Sequence, residues 1–310
     1  MKASEFQLPS KLDVRRSFDR AADRYDIAAV LQREVCDRIL ERLDYIKLVP
    51  QHILDIGCGT GYGSTKLLAR YANANVAGID IAPAMLRHAG LRNVTPGAIR
   101  RLLGAAVRYR RVCADAEALP LAADCAELVF SNLTLQWCDA SRFFSEAERV
   151  LAPGGLLMFS TFGPDTLREL RKVFGTLDER PHVNPFLDMH DVGDMLVHAG
   201  FGDPVMDMEI ITLTYADLKS LMVELKSIGA HNVMPGRRSG LMGKDAWHRL
   251  VTAYEQFRKD NRLPATYEVV YGHAWKPLHA ARKFPDGRQI IEFRSYPKAL
   301  MSNEPNEASQ

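Results

Sequence analysis

The chain has no run of apolar residues long enough to span a bilayer, no Cys-x-x-Cys pair and no Gly-Lys-Ser/Thr. Each absence excludes something. Without the apolar run there is no candidate membrane-spanning helix. Without paired cysteines, Cys36, Cys58, Cys113, Cys125 and Cys138 read as separate reduced thiols, which suits the cytoplasm. Without the lysine and hydroxyl of a phosphate-binding loop, a nucleoside triphosphate has no cradle. An excess of one charge is missing too: 40 Lys+Arg against 38 Asp+Glu leave a formal +2, which argues against a nucleic-acid binder. No His/Asp cluster has metal spacing, so no metal is expected. The opening MKASEFQLPS lacks the apolar core of a secretion signal, and the expectation is a cytoplasmic protein without membrane partners.

What remains is a mixed sequence of 310 residues, 47% hydrophobic and 25% charged, enough for one large domain or one and a half. Residues 10 to 45 read as helix. Ser10 and Asp13 suggest a capping box, and Phe18, Ala21, Ala22, Tyr25, Leu31, Val35, Ile39 and Leu43 fall at helical spacing. The eight Lys/Arg and seven Asp/Glu between Lys11 and Arg42 read as a solvated face. From residue 52 strands alternate with helices, which demands a parallel sheet with right-handed crossovers. Strands are expected at 52–57, in "NVAGIDIAPAML" up to Asp80, in "YRRVCADA", in "AELVFSNL" and in "APGGLLMFSTF". Pro83 is placed to start a helix. After Gly163 helical stretches appear near 164–177, 188–199, 215–228 and 244–260, with strand-like "VMDMEIITLTY" and "ATYEVVYGHAW" among them. The expected organisation is a helical cap (1–45), a ligand-binding core (46–213), a helical insertion acting as a lid (214–262), a last strand with an extension (263–297) and a polar, disordered tail (298–310).

The chemistry concentrates in "ILDIGCGTGYGS", residues 53 to 64. A strand breaking into a glycine loop and then a helix is the first turn of a doubly wound sheet. The dinucleotide fingerprint G-x-G-x-x-G fails here, because Tyr62 occupies its third glycine position. Asp80, at the end of the second strand, can take both hydroxyls of a ribose. Asp115, at the end of the third, can accept a hydrogen bond from an adenine amine. Asp55 faces the loop, where an acid repels phosphate and suits a cationic amino group. Adenine, ribose and an amino-acid tail together describe S-adenosylmethionine.

"LDIGCGTG", "GIDIAPAML", "CADAEALPL", "LVFSNLTLQW" and "RVLAPGGLLMFST" resemble, in order, the motifs of class I S-adenosylmethionine-dependent methyltransferases. The resemblance implies an α/β fold with a seven-stranded doubly wound sheet whose last strand, placed at 265–275, is antiparallel. It also implies that Asp55, Gly57 and Gly59 meet the methionine end, Asp80 the ribose, and Asp115 and Ala116 the adenine, with Ile81 and Asn132 beside them. Ser131-Asn132-Leu133-Thr134 stands where amino-methylating enzymes of nucleobases carry Asp/Asn-Pro-Pro-aromatic, and Cys138 follows Trp137 rather than proline, so base methylation is disfavoured.

Outside that core, "RRSFDRAADRYDIAAVLQREV", "SNLTLQWC", "FGPDTLRELR…LDERPHVNPFL", "LKSIGAHN" and "LPATYEVVYG" resemble the malonyl-acyl carrier protein O-methyltransferases of biotin synthesis. The partner implied is an acidic, malonyl-loaded acyl carrier protein, with coenzyme A thioester as the other possible form, and a monomer or weak dimer is expected. A sibling family, the complex I assembly factors, shares part of the pattern and implies arginine hydroxylation or a non-catalytic role. Tyr25, His182, Asn184, Lys226 and Tyr267 are the candidates to hold the malonyl carboxylate. Tyr25 would equally suit a core stripe, His182 and Asn184 a turn beside Pro181 and Pro185, and Lys226 a helix end. "IRRLLGAAVRYRR", 99 to 111, holds Arg100, Arg101, Arg108, Arg110 and Arg111 with no acid, and is a candidate docking segment for the carrier.

Overall fold

A computed structural model describes residues 9–89, 108–178, 180, 182–230 and 242–278 of the chain. Its strands are β1 (His52–Ile56), β2 (Asn75–Asp80), β3 (Tyr109–Cys113), β4 (Ala126–Ser131), β5 (Leu151–Phe162), β6 (Gly202–Tyr215) and β7 (Leu263–Trp275). They form one sheet in the order β3-β2-β1-β4-β5-β7-β6. The first five are parallel, and β7 inserts antiparallel between β5 and β6. The expected seven-stranded sheet with an antiparallel last strand is therefore present. The strand order reverses between β1 and β4, so a crevice opens beyond their carboxyl ends.

Helices cover both faces: α1 (Lys11–Ala28), α2 (Val30–Arg42), α3 (Tyr62–Arg70), α4 (Pro83–His88), α5 (Ala140–Val150), α6 (Arg168–Phe174), α7 (Met189–His198), α8 (Leu218–Ser227) and α9 (Lys244–Tyr254). That is why Leu128, Val129 and Phe130 of β4 are apolar in succession rather than in alternation. Leu128 and Phe130 pack on one face with Leu31, Val35 and Ile39 of α2. Val129, between them, packs on the other with Phe143 and Phe144 of α5. All three strand residues are fully buried. Pro83 opens α4 as expected, and Asp139, Asp188 and Asp217 accept backbone N–H groups at the starts of α5, α7 and α8. The helices α8 and α9 lie between β6 and β7 in the chain, where the insertion was expected.

Two expectations for the N-terminal segment need correction. The helix read over 10–45 is two helices, broken at Ala29 (φ −78°, ψ 47°). Neither proline nor glycine causes the break. It lets the apolar stripe turn with its environment: α2 lays its stripe on the sheet, while α1 turns its own over the crevice. The capping box is also absent, because Ser10 sits at the N-cap but makes no side-chain capping bond; its carbonyl accepts from Val14 at 3.0 Å instead. Most of the arginine-rich segment, 99–107, and the tail 298–310 lie outside the described residues.

Candidate functional site

The loop after β1 turns back on itself through left-handed glycines: Gly57 at φ 75°, Gly59 at 54° and Gly61 at 87°. Such angles cost an L side chain about 1–2 kcal/mol per residue. Gly57 has a second reason to be glycine, since a Cβ there would lie 1.9 Å from Thr134 Oγ1. At Gly59 a Cβ would meet only Tyr25 Cε1, at 3.9 Å, so this stretch of backbone faces open space. The close helix–strand approach that the dinucleotide fingerprint assigns to its third glycine is made one residue later. A Cβ on Gly63 would lie 3.2 Å from Phe130 Cε1 and 3.3 Å from Asp55 Oδ2.

Backbone bonds fasten the loop to β2. Gly57 and Cys58 donate to the Ile79 carbonyl at 2.7 and 2.9 Å. Gly59 N–H donates to Asp80 Oδ2 at 2.9 Å, and Ala82 N–H to Oδ1 at 2.8 Å. Even so, burial pushes the Asp80 carboxyl up to about 6. Asp55, 2% exposed, accepts from Ser64 Oγ, yet burial, with help from the Asp80 charge, lifts it to about 7. Among the described residues no cation pairs with either acid. Two buried carboxylates without a counter-charge are a costly arrangement for the free protein, and one that a ligand bringing a cation and hydroxyl donors relieves.

A cleft lies over these groups, in two lobes. The larger, with about 650 Å³ of empty space partly open to solvent, is lined by Gly57, Gly59, Asp80, Ile81, Asp115, Ala116 and Asn132 among others. The smaller is lined by Asp55, Gly57, Gly59, Arg33 and Asn132. Tyr25 lines both. Every residue assigned to the cofactor from the sequence thus borders one lobe or both. Asn132 also ties elements together, donating to the Gln32 carbonyl at 2.9 Å and accepting from Ser160 Oγ at 2.8 Å.

The roof is α1. Lys11, Val14, Phe18 and Tyr25 recur at three, four and seven residues, so they share one helix face, and that face lines the larger lobe. Phe18 meets Trp137 edge-on at 5.4 Å. Ala21 and Ala22 pack on Ala82, Ala84 and Met85. Asp19 accepts from Ala84 N–H at 2.8 Å, near the start of α4. Ser17 Oγ donates to the Gly229 carbonyl at 2.7 Å, joining the roof to the end of α8. Lys11 pairs with Glu117 and, at 3.1 Å, with Asp115. Sequence reasoning missed Lys11 and Arg33. The heptad spacing of Lys11, Phe18 and Tyr25 was the available signal for the first; Arg33 offered none, because the turn at Ala29 aims it.

Comparison with known proteins fits this picture. A methyltransferase domain model matches residues 54–159. The malonyl-acyl-carrier protein O-methyltransferase of Laribacter hongkongensis is 54% identical over 93% of this chain and 97% of its own length. That of Gallionella capsiferriformans is 55% identical over 93% and 98%. This chain belongs to the malonyl-acyl-carrier protein O-methyltransferase family. Its fold is also that of a Haemonchus contortus phosphoethanolamine N-methyltransferase 2, solved with phosphomonomethylethanolamine and S-adenosylhomocysteine. That structure has a TM-score of 0.50 and 21% identity, over 85% of this chain and 60% of that one.

Within this family member the five substrate candidates separate. Tyr25 alone borders the cleft. Burial first, then the Asp80 charge, pushes its hydroxyl well above the usual tyrosine range, so it stays protonated. Tyr267 is 3% exposed in the core, tilted against Phe162 at 5.8 Å. His182 stacks on Phe174 at 4.1 Å and pairs with Asp178 at 2.6 Å. Lys226 is exposed in the last turn of α8. Asn184 Oδ1 is buried without a hydrogen-bond partner. Among the described residues no helix is long and apolar enough to cross a membrane.

Proposed function

We propose that this chain transfers a methyl group from S-adenosylmethionine to the free carboxylate of malonyl-acyl carrier protein, giving the ester that primes pimeloyl and biotin synthesis. The observation that carries the reading is identity of 50–56% across most of the chain with enzymes named for that reaction. Those names favour it over the assembly-factor alternative. The cleft fits the cofactor on its own evidence. Asp80 offers a carboxylate for ribose hydroxyls, and Asp115 and Ala116 border the place for adenine. The open face at Gly59 admits the methionine chain, Asp55 receives its ammonium and Arg33 its carboxylate.

S-adenosylmethionine held by these residues would supply a sulfonium methyl, which a carboxylate oxygen would take as the C–S bond breaks. The protein has no proton to move, because a carboxylate is already ionised at neutral pH. Its task is to align a weak nucleophile and remove its water. The roof α1, joined to the 214–262 insertion, serves as the lid that does so. Tyr25 stands where the two lobes meet and keeps a neutral O–H donor there. Asn184, whose Oδ1 is buried without a partner among the described residues, borders neither lobe and is not assigned to the carboxylate. His182 and Tyr267 pack on Phe174 and Phe162, and Lys226 lies exposed at the end of α8, so none of them is assigned to it either. We place the reaction in the cytoplasm and the enzyme as a monomer or weak dimer; the free state of all five cysteines supports the first.

Mass spectrometry of malonyl-loaded carrier protein incubated with S-adenosylmethionine tests the reading. One added methyl per malonyl group is expected. An enzyme that binds the cofactor yet leaves both malonyl-carrier and malonyl-coenzyme A unchanged would overturn it.

A further inference from the structure

We propose that the outer face of α1 is the docking surface for the acidic carrier protein, an inference that rests on the substrate reading above. The inner face of this helix is committed to the cleft through Lys11, Val14, Phe18 and Tyr25. On the opposite face Arg16, Arg20 and Arg24, spaced by four, form an exposed row. Among the described residues none of the three makes an ion pair; the Arg20 guanidinium donates to the Arg16 carbonyl at 3.1 Å. The neighbouring acids are engaged elsewhere. Asp19 serves Ala84 N–H and Arg15, Asp23 pairs with His88 at 2.9 Å, and Asp26 accepts from Thr60. Among the described residues, the carboxylates therefore leave the row for a partner.

The row runs toward the turn between α1 and α2. There Ile27, 82% exposed, and Val30, 52% exposed, are apolar side chains open to solvent a few residues after Tyr25. Unpaired cations leading to exposed apolar side chains are the composition of a protein-binding patch rather than of a merely solvated helix. Carrier proteins of this class are strongly acidic, so the charges complement. The outer face lies one helix width, about 10–12 Å, from the inner one. A carrier seated there holds its thioester arm at the mouth of the cleft. The arginine-rich segment from 99 to 111 is the rival surface. Of its described members, Arg108 and Arg111 already donate to the Ala72 and Leu86 carbonyls.

The test compares wild type with Arg16→Ser/Arg20→Ser/Arg24→Ser on malonyl-carrier and on malonyl-coenzyme A, at low and high salt. At low salt kcat/KM for the carrier is expected to fall roughly tenfold in the variant, with a flattened salt dependence. The rate on malonyl-coenzyme A and the Kd for S-adenosylhomocysteine stay at wild-type values. Equal losses on both substrates overturn the proposal, because the helix is then only structural. So does an unchanged carrier rate, or a loss confined to Arg110→Ser/Arg111→Ser. If wild type methylates neither malonyl thioester, the substrate reading itself has failed; if it methylates the carrier and the triple variant matches it, only the docking surface has.

Discussion

Lys11 Nζ lies 3.1 Å from Asp115 Oδ1, so the first turn of α1 is fastened to the loop after β3 across the mouth of the larger lobe. The same ammonium pairs with Glu117, which in turn accepts Asp139 N–H at 2.6 Å, at the N-cap of α5. One lysine thus joins roof and wall at the Asp115 end of the larger lobe. Both members of the Lys11–Asp115 pair are about one-third exposed, so solvent screens it, and it is worth about 0.5–1 kcal/mol. Lys11→Met keeps the aliphatic stem and removes the charge. Release of S-adenosylhomocysteine, followed by stopped flow, should become roughly threefold faster, the equivalent of that energy. An unchanged off-rate removes Lys11 from the closure of the roof.

Asp55 and Asp80 predict a pH dependence whose sign is opposite for binding and for folding. In the free protein their carboxyls lie at about 7 and about 6. An ammonium against Asp55 favours its charged form and lowers that value. Between about pH 5 and 7 the free protein therefore holds protons that the complex has lost. Binding should release protons in this window, and affinity should rise with pH until it levels above about 7. For folding, the raised values mean that the folded state binds more protons than the unfolded chain. Stability of the free protein is then lost as pH rises from about 4 to about 7. Calorimetry at pH 6 in buffers of different ionisation heat measures the first effect; net proton uptake contradicts it. Asp55→Asn should abolish most of the release. It should also stabilise the free protein at pH 7.5 by on the order of 3 kcal/mol while weakening cofactor binding, a stability gained at the expense of the site.

Gly57→Ala should be severe for two separable reasons. The left-handed backbone at φ 75° costs an alanine about 1–2 kcal/mol. The added carbon also enters the space of the Thr134 side chain. Thr134→Ala in the same chain removes the second cost and leaves the first. The double variant should recover part, and only part, of the thermal stability and cofactor affinity lost by Gly57→Ala. If Gly57→Ala alone melts and binds like wild type, the loop tolerates a side chain and this account of it is wrong.

The cofactor half of the molecule was legible because its signals are local. A strand, a glycine loop, and acids at the ends of the next two strands are read within a few residues of one another, and the parallel sheet then brings them together. Gly63 was legible only in part, since its proximity to Phe130 and Asp55 depends on how α3 seats on the sheet. The substrate half was harder, because its candidates come from segments whose places are set by long-range packing. Helical spacing groups Tyr25 with Phe18 but cannot say whether that stripe meets a sheet or a cleft; the turn at Ala29 decides, and no residue type there announces it. Tyr267 and His182 have the chemistry of site residues. The fold uses them against Phe162 and Phe174.

Tyr25 is where binding and turnover can be told apart. Its ring is shared by both lobes, while its hydroxyl, kept protonated by burial and the Asp80 charge, remains a neutral donor. A neutral donor can orient a carboxylate without cancelling the charge that makes it nucleophilic, whereas a tight ion pair would stabilise the ground state. Tyr25→Phe keeps the ring. It should lower kcat about tenfold, or ~1.4 kcal/mol, and leave the Kd for S-adenosylmethionine within about twofold. Tyr25→Ala removes the ring as well and should weaken cofactor binding in addition. Because the hydroxyl titrates far above the assay range, the wild-type kcat should show no loss of rate toward pH 9 from this group. Kinetics on both variants, with circular dichroism to confirm folding, provide the check. A folded Tyr25→Phe with wild-type kcat assigns the residue to packing.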